Sequence, residues 1–175
     1  MEENILVKEY HSPAGVLLVG SFMEELCLCD WRYRKKRDLI DRRLKNGLQA
    51  GFQYGNSAII QETIRQLEEY FAKQRTQFDL PLKLIGTDFQ KLVWQELIKI
   101  PFGQRLTYLD LSKRLGNEKA VRAVASANGA NAISIIIPCH RIVGLNGKMV
   151  GYAGGLDAKK KLLALESRVT QGSFF

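Results

Sequence analysis

Short apolar runs separated by turn residues open the chain. The runs occupy residues 5–7, 16–19 and 26–31, and the sequence Ser-Pro-Ala-Gly stands at 12–15 between the first two. Apolar runs of this length between turn signals are typical of antiparallel strands joined by tight connections. The pattern predicts a β-meander over the first part of the chain.

The spacing of apolar residues changes after residue 57. Ile60, Ile64, Leu67 and Phe71 recur at intervals of three and four, which places them on one face of a helix. We expect an amphipathic helix over residues 57–74 that closes a first domain. Residues 32–45, which precede it, hold 8 basic and 2 acidic residues. We interpret them as a solvated, partly helical excursion, because charge runs are most often surface.

A second domain is predicted to begin at Thr87. Thr87 and Gln90 have the spacing of a capping box, which marks the start of a helix that Pro101 stops. Four apolar residues should line one face of this helix: Phe89, Val93, Trp94 and Leu97. Residues 78–86 contain Pro81 and little helical periodicity, so they are a candidate linker. The expected division is an N-terminal domain over 1–77, which braces the second, a linker over 78–86 and a C-terminal domain over 87–175.

Two short helices are predicted next, over residues 108–115 and 118–127, with Gly116 between them. Short helices joined at a glycine turn are typical of a helix-turn-helix, although an ordinary pair of packed helices fits equally well. A buried strand is expected over 133–137, and Asn146-Gly147 predicts the turn of a wing-like hairpin between Val143 and Val150. The last helix should span 157–166.

These elements together predict an α+β chain. A small N-terminal sheet-plus-helix domain is followed by a mostly helical, winged-helix-like C-terminal domain. The formal net charge is +8, and it is unevenly distributed: residues 1–86 hold 13 basic and 12 acidic side chains, whereas residues 87–175 hold 13 basic and 6 acidic ones. A positive field attracts polyanions such as nucleic acid, an acidic protein or an anionic lipid surface, and charge alone does not distinguish them.

The chain lacks the features of a membrane or secreted protein. No apolar stretch approaches the roughly 18–20 residues of a membrane span, and the start Met-Glu-Glu-Asn lacks the basic opening of a secretory signal. Three cysteines, an odd number, do not form a disulfide framework. We therefore expect a cytoplasmic protein whose thiols stay reduced.

One cysteine stands in a reactive-looking context. Cys139 follows the apolar run 135–137 and Pro138, and His140 and Arg141 come directly after it. Only the thiolate is a good nucleophile, and a neighbouring base or cation favours its formation. The plainer interpretation is a small buried core cysteine.

The surroundings of Cys139 resemble the O6-alkylguanine-DNA alkyltransferases, also called methylated-DNA:protein-cysteine methyltransferases. The resemblance runs from about Thr87 to Glu166, and the matching elements occur in order at family spacing. They are Ile-Pro-Phe-Gly at 100–103, Thr107-Tyr108, Arg122-Ala123-Val124, Asn131, Pro138-Cys139-His140-Arg141, and Tyr152-Ala153-Gly154-Gly155-Leu156. Residues before Thr87 fit the family only in length and coarse pattern.

The resemblance implies a single-use DNA repair reaction. Cys139 would take the alkyl group irreversibly from O6 of guanine, or more weakly from O4 of thymine. A water would pass the thiol proton to His140, which Glu166 orients. Asn131 would brace the turn before the active-site segment, and Tyr108 would donate a hydrogen bond toward the departing purine.

The resemblance also implies how DNA is held. The second of the two short helices would enter the minor groove, and Arg122 would fill the stack left by an extruded base. The small side chain of Ala123 would allow close approach to the duplex. Tyr152, Ala153, Gly154 and Gly155 would form one wall of the base pocket, with Tyr152 stacked on the base and backbone amides facing O6. Alone, each of these residues has an ordinary structural interpretation.

Some features depart from the vertebrate-type members of the family. Ala153 stands where those proteins have a serine, so only a backbone amide can serve there. Those proteins also carry a structural zinc, but Cys27 and Cys29 have only His11 nearby, and a closed zinc site normally needs four ligands. We expect no metal and no other cofactor. Lys159 matches a lysine of the family's last helix.

The expected partner is double-stranded DNA containing O6-alkylguanine, bound by a monomer without a membrane. Two other classes compete. A winged-helix DNA-binding module without catalysis explains the helices and the charge but leaves Cys139 and Glu166 without a role. A cysteine hydrolase would use Cys139 with a histidine that is usually distant in sequence, for which His11 is the available candidate. Turnover distinguishes them, since a hydrolase cycles and an alkyltransferase stops after one equivalent.

Overall fold

The structure is a computed structural model that describes the backbone of residues 3–172 and the side chains of residues 3–167. The chain divides into two compact units between Gly86 and Thr87. None of the helices in the described residues is long and apolar enough to cross a membrane.

The first unit is built on a four-stranded sheet. Its strands are β1 (Ile5–Ser12), β2 (Gly15–Phe22), β3 (Glu25–Trp31) and β4 (Phe52–Tyr54). Their order is β3-β2-β1-β4, in which the first three are antiparallel neighbours and β4 lies parallel to β1. The predicted meander is confirmed. β4 was not predicted, because three residues with two exposed side chains carry no recognisable alternation.

Two helices complete the first unit, α1 (Arg37–Leu48) and α2 (Ala58–Phe71). The hydroxyl of Ser57 accepts a hydrogen bond from the Ile60 amide at 3.1 Å and so caps α2, whose residues Ile60 and Leu67 are buried as predicted. A side-chain cap satisfies one of the free amides at a helix start. The amphipathic helix of the sequence pattern is therefore confirmed.

The basic segment at 32–45 is only partly solvated. Arg34 and Arg37 bind the fully buried carboxylate of Asp30 at 3.0 and 2.8 Å, and their side chains are only 9% and 12% exposed. The solvated interpretation is wrong for these two residues. A buried carboxylate needs nearby cations to offset its loss of hydration.

The segment 78–86 hydrogen-bonds within the first unit. The Leu26 amide donates to the Pro81 carbonyl, and the Lys83 amide donates to the Leu26 carbonyl, each at 2.8 Å. These bonds run the segment alongside β3. Its assignment as a linker stays a prediction.

The second unit is mostly helical. Its elements are α3 (Asp88–Ile98), β5 (Leu106–Thr107), α4 (Tyr108–Arg114), a 3-10 turn (Glu118–Ala120), α5 (Val121–Gly129), a 3-10 turn (Cys139–Arg141), β6 (Ile142–Val143), a 3-10 turn (Leu145–Gly147) and α6 (Leu156–Gly172). The Thr87–Gln90 capping box of α3 is confirmed. Phe89 is an exception on the predicted apolar face, since it is 38% exposed whereas Val93, Trp94 and Leu97 are buried. α6 is longer than predicted and extends past residue 166.

The apolar segment at 133–137 is buried but is not a strand. The Ile137 amide donates to the Ile133 carbonyl at 3.0 Å, and Ile135 has a φ of +72°. The segment therefore closes on itself as a turn. The strand prediction was wrong, because burial selects apolar residues without specifying an extended backbone.

The wing-like hairpin is also not formed. Val143 pairs with Thr107 of β5 in a parallel arrangement, rather than with Val150. The Gly144 amide donates to the Lys148 carbonyl at 2.8 Å and closes a short loop. Asn146 and Gly147 form the tip with φ values of +59° and +74°. The predicted turn is therefore present, but in the described chain no strand follows it.

Candidate active site

Cys139 begins a single 3-10 turn in the interior of the second unit. Its amide donates to the Ile137 carbonyl at 2.8 Å, and the Arg141 amide donates to the Pro138 carbonyl at 3.0 Å. Cys139 is only 3% exposed. A group that reacts with this sulfur must be brought into the interior of the unit.

The turn directs His140 and Arg141 toward Glu166 of α6. Nε2 of His140 lies 2.8 Å from Oε1 of Glu166, and Arg141 donates to both carboxylate oxygens, from Nε at 3.0 Å and from Nη2 at 2.9 Å. Arg141 also donates to the Ile100 carbonyl at 2.6 Å. The arrangement satisfies a buried carboxylate with one imidazole and a bidentate guanidinium.

The contacts of Glu166 with His140 and Arg141 determine the charges of Glu166 and His140. Burial by itself would raise the pKa of Glu166, but the hydrogen bonds and charges of His140 and Arg141 outweigh it and lower the pKa to about 2. Burial lowers the pKa of His140 despite the opposing effect of Glu166. The carboxylate is therefore ionised and the imidazole neutral at physiological pH. A neutral imidazole that donates from Nε2 keeps a lone pair on Nδ1.

His140 Nδ1 is buried and makes no hydrogen bond to the described residues. Since Glu166 holds the proton on Nε2, this nitrogen is a proton acceptor. The arrangement can thus take up a proton released inside the site. That is the chemistry expected of a base that activates a nearby thiol.

Asn131 braces the turn that precedes Cys139. Its Nδ2 donates to the Ile137 carbonyl at 3.0 Å, and its Oδ1 accepts from the Ile133 amide at 3.0 Å. The side chain is buried and spans the closed turn that replaces the predicted strand. Asn131 therefore fixes the backbone on which Cys139 is mounted.

Tyr108 and Asn128 lie close to Cys139. Burial raises the pKa of the Tyr108 phenol, a negative charge on Cys139 raises it further, and a hydrogen bond with Asn128 opposes both. The Asn128 amide nitrogen also lies 3.5 Å from the Cys139 carbonyl oxygen. Asn128 was not among the predicted site residues, because an asparagine near a helix end carries no distinctive signal.

Lys159 is a second polar residue that the sequence did not assign to the site. Its side chain is fully buried, and Nζ donates to the carbonyl of Ile142, three residues beyond Cys139, at 2.6 Å. Lysine is almost never fully buried without a partner. The sequence signal for Lys159 was its match to a lysine of the family's last helix, and that match did not indicate what the residue does.

The predicted DNA-contacting residues lie on the outside of α5. Arg122 and Ala123 are exposed in its first turn, while Val124, Ala127 and Asn128 are buried. In the described chain Arg122 makes no hydrogen bond or ion pair. The helix therefore presents a cation beside small side chains on a face that no other part of its own unit covers.

The predicted pocket-wall residues form a turn just before α6. The Gly155 amide donates to the Tyr152 carbonyl at 3.0 Å, and the Lys159 amide donates to the Gly155 carbonyl at 3.1 Å. Gly155 has a φ of +88°, a conformation that favours glycine. Tyr152, Ala153 and Gly154 are half-buried.

The remaining cysteines belong to the core of the first unit. Cys27 and Cys29 are buried in β3. Burial raises the pKa of Cys27 to about 12 and also raises the pKa of Cys29. Among the described residues no cluster of His, Cys, Asp and Glu side chains is placed to hold a metal ion.

Both halves of the sequence match described protein families. Residues 5–84 match the family described as 6-O-methylguanine DNA methyltransferase, ribonuclease-like domain. Residues 88–168 match the family described as 6-O-methylguanine DNA methyltransferase, DNA binding domain.

Curated relatives span nearly the whole chain. A methylated-DNA--protein-cysteine methyltransferase of Methanosarcina barkeri is 50% identical over 155 residues, which is 89% of this chain and 92% of that protein. The protein of the same name from Methanosarcina acetivorans is 42% identical over 158 residues, covering 90% of this chain and 95% of the relative.

Solved structures agree in fold. The crystal structure of Mycobacterium tuberculosis OGT in complex with DNA superposes with a TM-score of 0.80 at 34% identity, covering 93% of each chain. The O6-methylguanine-DNA methyltransferase of Pyrococcus kodakaraensis gives a TM-score of 0.67 at 25% identity, covering 93% of this chain and 98% of that chain. The α+β class predicted from the sequence is confirmed.

Proposed function

The chain belongs to the family of methylated-DNA--protein-cysteine methyltransferases, and from that membership we propose that Cys139 is the residue that accepts the alkyl group. The chain is a DNA repair enzyme that reverses alkylation directly, and its partner is DNA. The single observation that carries the assignment of Cys139 is its position one residue before His140, which is hydrogen-bonded to the buried carboxylate of Glu166 at 2.8 Å.

Thiol activation follows from the charges around that pair. Glu166 holds the proton of His140 on Nε2, which leaves Nδ1 to accept the proton of the Cys139 thiol through a water. The resulting thiolate attacks the alkyl carbon on O6 of guanine. The new S–C bond forms as the C–O6 bond breaks, and the bonding electron pair leaves with O6. No step returns the S-alkylcysteine to a thiol, so each molecule acts once.

The depth of Cys139 explains why the base must leave the duplex. A stacked guanine cannot present its alkyl carbon in line with a sulfur that is 3% exposed. Enzymes that act on a base extrude it into a pocket at a cost of a few kcal/mol for unstacking. We assign Tyr152, Ala153, Gly154 and Gly155 to the wall of this pocket, and Tyr108 to the hydrogen bond that the departing purine receives.

The exposed face of α5 suits the DNA contact. Arg122 projects from it as a cation, and the small side chain of Ala123 allows a close approach to the duplex. We assign Arg122 to the gap left by the extruded base, where an inserted side chain offsets part of the unstacking energy. Asn131 acts indirectly, since it holds the backbone turn before Cys139.

We also propose which lesion is repaired, the oligomeric state of the protein and its cellular location. The lesion is O6-alkylguanine, with O4-alkylthymine as a weaker substrate, and the protein acts as a monomer. We place the protein in the cytoplasm, because this reducing compartment would keep the Cys139 thiol reduced until it reacts with DNA. The N-terminal domain over 1–77 and the linker over 78–86 support the reactive domain over 87–175 without taking part in the chemistry.

Mass spectrometry of the full chain after incubation with a duplex that contains one O6-methylguanine tests the assignment. We expect one methyl group per molecule, located on Cys139 by peptide mapping, and none in Cys139→Ser. A methyl group on another residue would refute the role of Cys139, and an unmodified wild-type protein would refute the transfer.

The same experiment distinguishes the competing functions. A winged-helix module that only binds DNA leaves the mass of the protein unchanged. A cysteine hydrolase releases product repeatedly, whereas this chain should stop at one equivalent. Family membership favours neither alternative.

A further inference from the structure

Asn128 is a buried polar residue of α5 that the transfer reaction as described does not use. It is only 7% exposed and lies in the last turn of the helix. The residue before it, Ala127, is anchored by a 2.9 Å hydrogen bond that Trp94 Nε1 donates to its carbonyl. Buried side-chain amides in proteins are almost always hydrogen-bonded, so the groups that Asn128 contacts indicate what it does.

The Cys139 carbonyl fixes the orientation of the Asn128 amide. That carbonyl oxygen can only accept a hydrogen bond, and it lies 3.5 Å from Nδ2 of Asn128. The opposite orientation would bring Oδ1 against the carbonyl oxygen, and two acceptors repel each other. Oδ1 makes no hydrogen bond to the described residues, so nothing in the described chain favours that opposite orientation. Nδ2 is therefore the atom that faces Cys139.

The same side chain also hydrogen-bonds to the Tyr108 phenol. This bond lowers the pKa of Tyr108, against the raising effects of burial and of a charge on Cys139. A hydrogen bond lowers the pKa of an acid when it is donated to the ionised form, so the amide is the donor and the phenol oxygen is the acceptor. An amide nitrogen has two N–H groups, which matches the two acceptors, the Tyr108 oxygen and the Cys139 carbonyl.

A phenol that accepts from an amide keeps its own O–H for another partner. Tyr108 has one proton to donate, and the bond from Asn128 leaves that proton unused. The departing purine gains electron density when the C–O6 bond breaks and its electron pair leaves with O6. A donor aimed at that developing charge stabilises it. Hydrogen bonds in a chain polarise one another, so the amide also makes the phenol a stronger donor.

We propose that Asn128 is a positioning residue of the transfer reaction: its Nδ2 donates to the Tyr108 oxygen and so directs the Tyr108 hydroxyl proton to the departing purine. The inference rests on the proposed roles of Tyr108 and Cys139. The same nitrogen holds the Cys139 carbonyl. One amide thus joins the group that assists the departure of the purine to the turn that carries the nucleophile.

The place of Asn128 on α5 gives this bond a second consequence. Arg122 stands on the exposed face in the first turn of the same helix, and Asn128 is buried in its last turn. A rise of about 1.5 Å per residue keeps the two positions at a fixed separation along one short rigid element. The helix that we assign to the duplex is therefore also the helix that orients the donor to the leaving group.

Asn128→Leu tests the proposal, because leucine has a similar size and no hydrogen-bond donor. The rate of methyl transfer from an O6-methylguanine duplex is measured in a single turnover for Asn128→Leu, Tyr108→Phe and the double variant. Asn128→Leu should slow the transfer about three- to tenfold, the factor expected for the loss of one hydrogen bond. The double variant should be no slower than Tyr108→Phe, because no hydroxyl then remains for Asn128 to direct.

Alkylation of Cys139 by iodoacetamide separates this role from support of the Cys139 turn. Iodide leaves without a hydrogen-bond donor, so Asn128→Leu should react at close to the wild-type rate, as read by peptide mapping. The matched control is Gln66→Met, which removes a buried amide of the first unit that donates to the Asp79 carbonyl at 2.9 Å. Gln66→Met should change neither the methyl transfer nor the alkylation.

Different patterns of rates would overturn the proposal. A double variant that is slower than Tyr108→Phe by the full factor of Asn128→Leu would show that Asn128 acts independently of Tyr108. Equal losses in methyl transfer and in alkylation by iodoacetamide would show that Asn128 only supports the Cys139 turn. An unchanged transfer rate in Asn128→Leu would show that the amide has no part in the reaction.

NMR of the Tyr108 ring during a pH titration examines the same bond without DNA. The pKa of Tyr108 should rise in Asn128→Leu, since the donor that lowers it is lost, and should stay at its wild-type value in Gln66→Met. An unchanged titration in Asn128→Leu would overturn the proposal. Failure of the wild type to take up a methyl group would count against the proposed function, so the two proposals can fail separately.

A further measurement leaves Asn128 intact and covers the case in which Asn128→Leu does not fold. The two Nδ2 protons of Asn128 are followed by NMR in wild type and in Tyr108→Phe, which keeps the ring and removes the phenol oxygen. One of these protons should move upfield in Tyr108→Phe because it loses its acceptor. Identical shifts in the two proteins would overturn the proposal.

Discussion

His140 and Glu166 share a 2.8 Å hydrogen bond between Nε2 and Oε1, and their side chains are 0% and 1% exposed. The bond joins the turn that carries Cys139 to α6. Arg141 of the same turn binds both oxygens of the same carboxylate. One buried carboxylate thus organises the base and the cation next to the sulfur.

Glu166→Gln should destabilise the protein strongly. The amide keeps the shape but leaves Arg141 as a buried cation without its anion, and breaking a buried pair typically costs about 3–5 kcal/mol. Urea denaturation at pH 7 gives the change in the free energy of unfolding. The control is Glu96→Gln, which removes an i,i+3 pair with the exposed Lys99 and should cost about 0.5 kcal/mol or less. Equal losses in the two variants would contradict the role of Glu166.

The free energy of unfolding should fall as the pH drops below 6.5. Burial lowers the pKa of His140 from 6.5 in the folded state, so the unfolded chain binds a proton that the folded chain does not. Stability then decreases with falling pH by about 1.4 kcal/mol per unit, until the folded pKa is reached. Denaturation between pH 7 and 5.5 measures this slope.

His140→Gln should remove the pH dependence of the free energy of unfolding between pH 7 and 5.5. His11→Gln should retain it, because the His11 side chain is 75% exposed. Below pH 4.5 the lowered pKa of Glu166 adds a second loss in the same direction, which continues until its folded pKa of about 2. A wild-type stability that is flat from pH 7 to 5.5 would show that His140 is not held neutral.

Asn131→Ala should loosen the turn before Cys139. The Ile133 amide loses its partner inside the unit, while the Ile137 carbonyl keeps only its bond from the Cys139 amide. An unsatisfied buried amide costs about 1–3 kcal/mol. Asn117→Ala, which removes one exposed bond to the Lys119 amide, should cost clearly less. Urea denaturation of the two variants compares them, and a smaller effect at Asn131 would contradict its bracing role.

Arg122→Ala should leave stability unchanged and impair repair selectively. Its side chain is exposed and unpaired in the described chain, so the change in the free energy of unfolding should stay within about 0.5 kcal/mol. Transfer from an O6-methylguanine duplex should slow about tenfold or more. A tenfold change corresponds to about 1.4 kcal/mol, the stabilisation of the unstacked duplex that the Arg122 side chain would no longer supply. Transfer from the free base, followed by mass spectrometry, should be nearly unaffected.

Lys119→Ala is the control for charge alone, since Lys119 is an exposed cation just before α5. Removing Lys119 should weaken binding to any duplex without a specific loss of transfer. If Arg122→Ala and Lys119→Ala behave alike, Arg122 acts as an ordinary phosphate contact.

The three thiols should differ sharply in reactivity. Burial raises the pKa of Cys27 to about 12 and raises that of Cys29 as well, so neither forms a thiolate near neutral pH. Cys139 should therefore be the first residue alkylated by iodoacetamide in the native protein, as read by peptide mapping. Comparable labelling of Cys27 would argue against an activated thiol at Cys139.

Local chemistry allowed much of this fold to be predicted from the sequence. The capping box of Thr87 and Gln90 involves only the four residues 87–90, and the apolar spacing of α2 depends only on residues of that helix. Such signals are independent of the rest of the chain. The motif around Cys139 likewise places thiol, imidazole and guanidinium side by side through the covalent chain. Its resemblance to a family predicted DNA as the partner and direct reversal of alkylation as the reaction class, and the comparisons bear out both.

Tertiary structure decided the features that depend on distant partners. The segment 133–137 forms a turn in which Asn131 hydrogen-bonds to the Ile133 amide and the Ile137 carbonyl. Val143 pairs with Thr107 because β5 lies next to it in the folded unit. Lys159 and Asn128 join the site only when α6 and α5 pack against the Cys139 turn. Burial and long-range pairing set these outcomes, and neither is encoded in the spacing of neighbouring residues. The sequence by itself determined which reactive groups the protein has and where its helices begin, whereas packing determined their charges and partners.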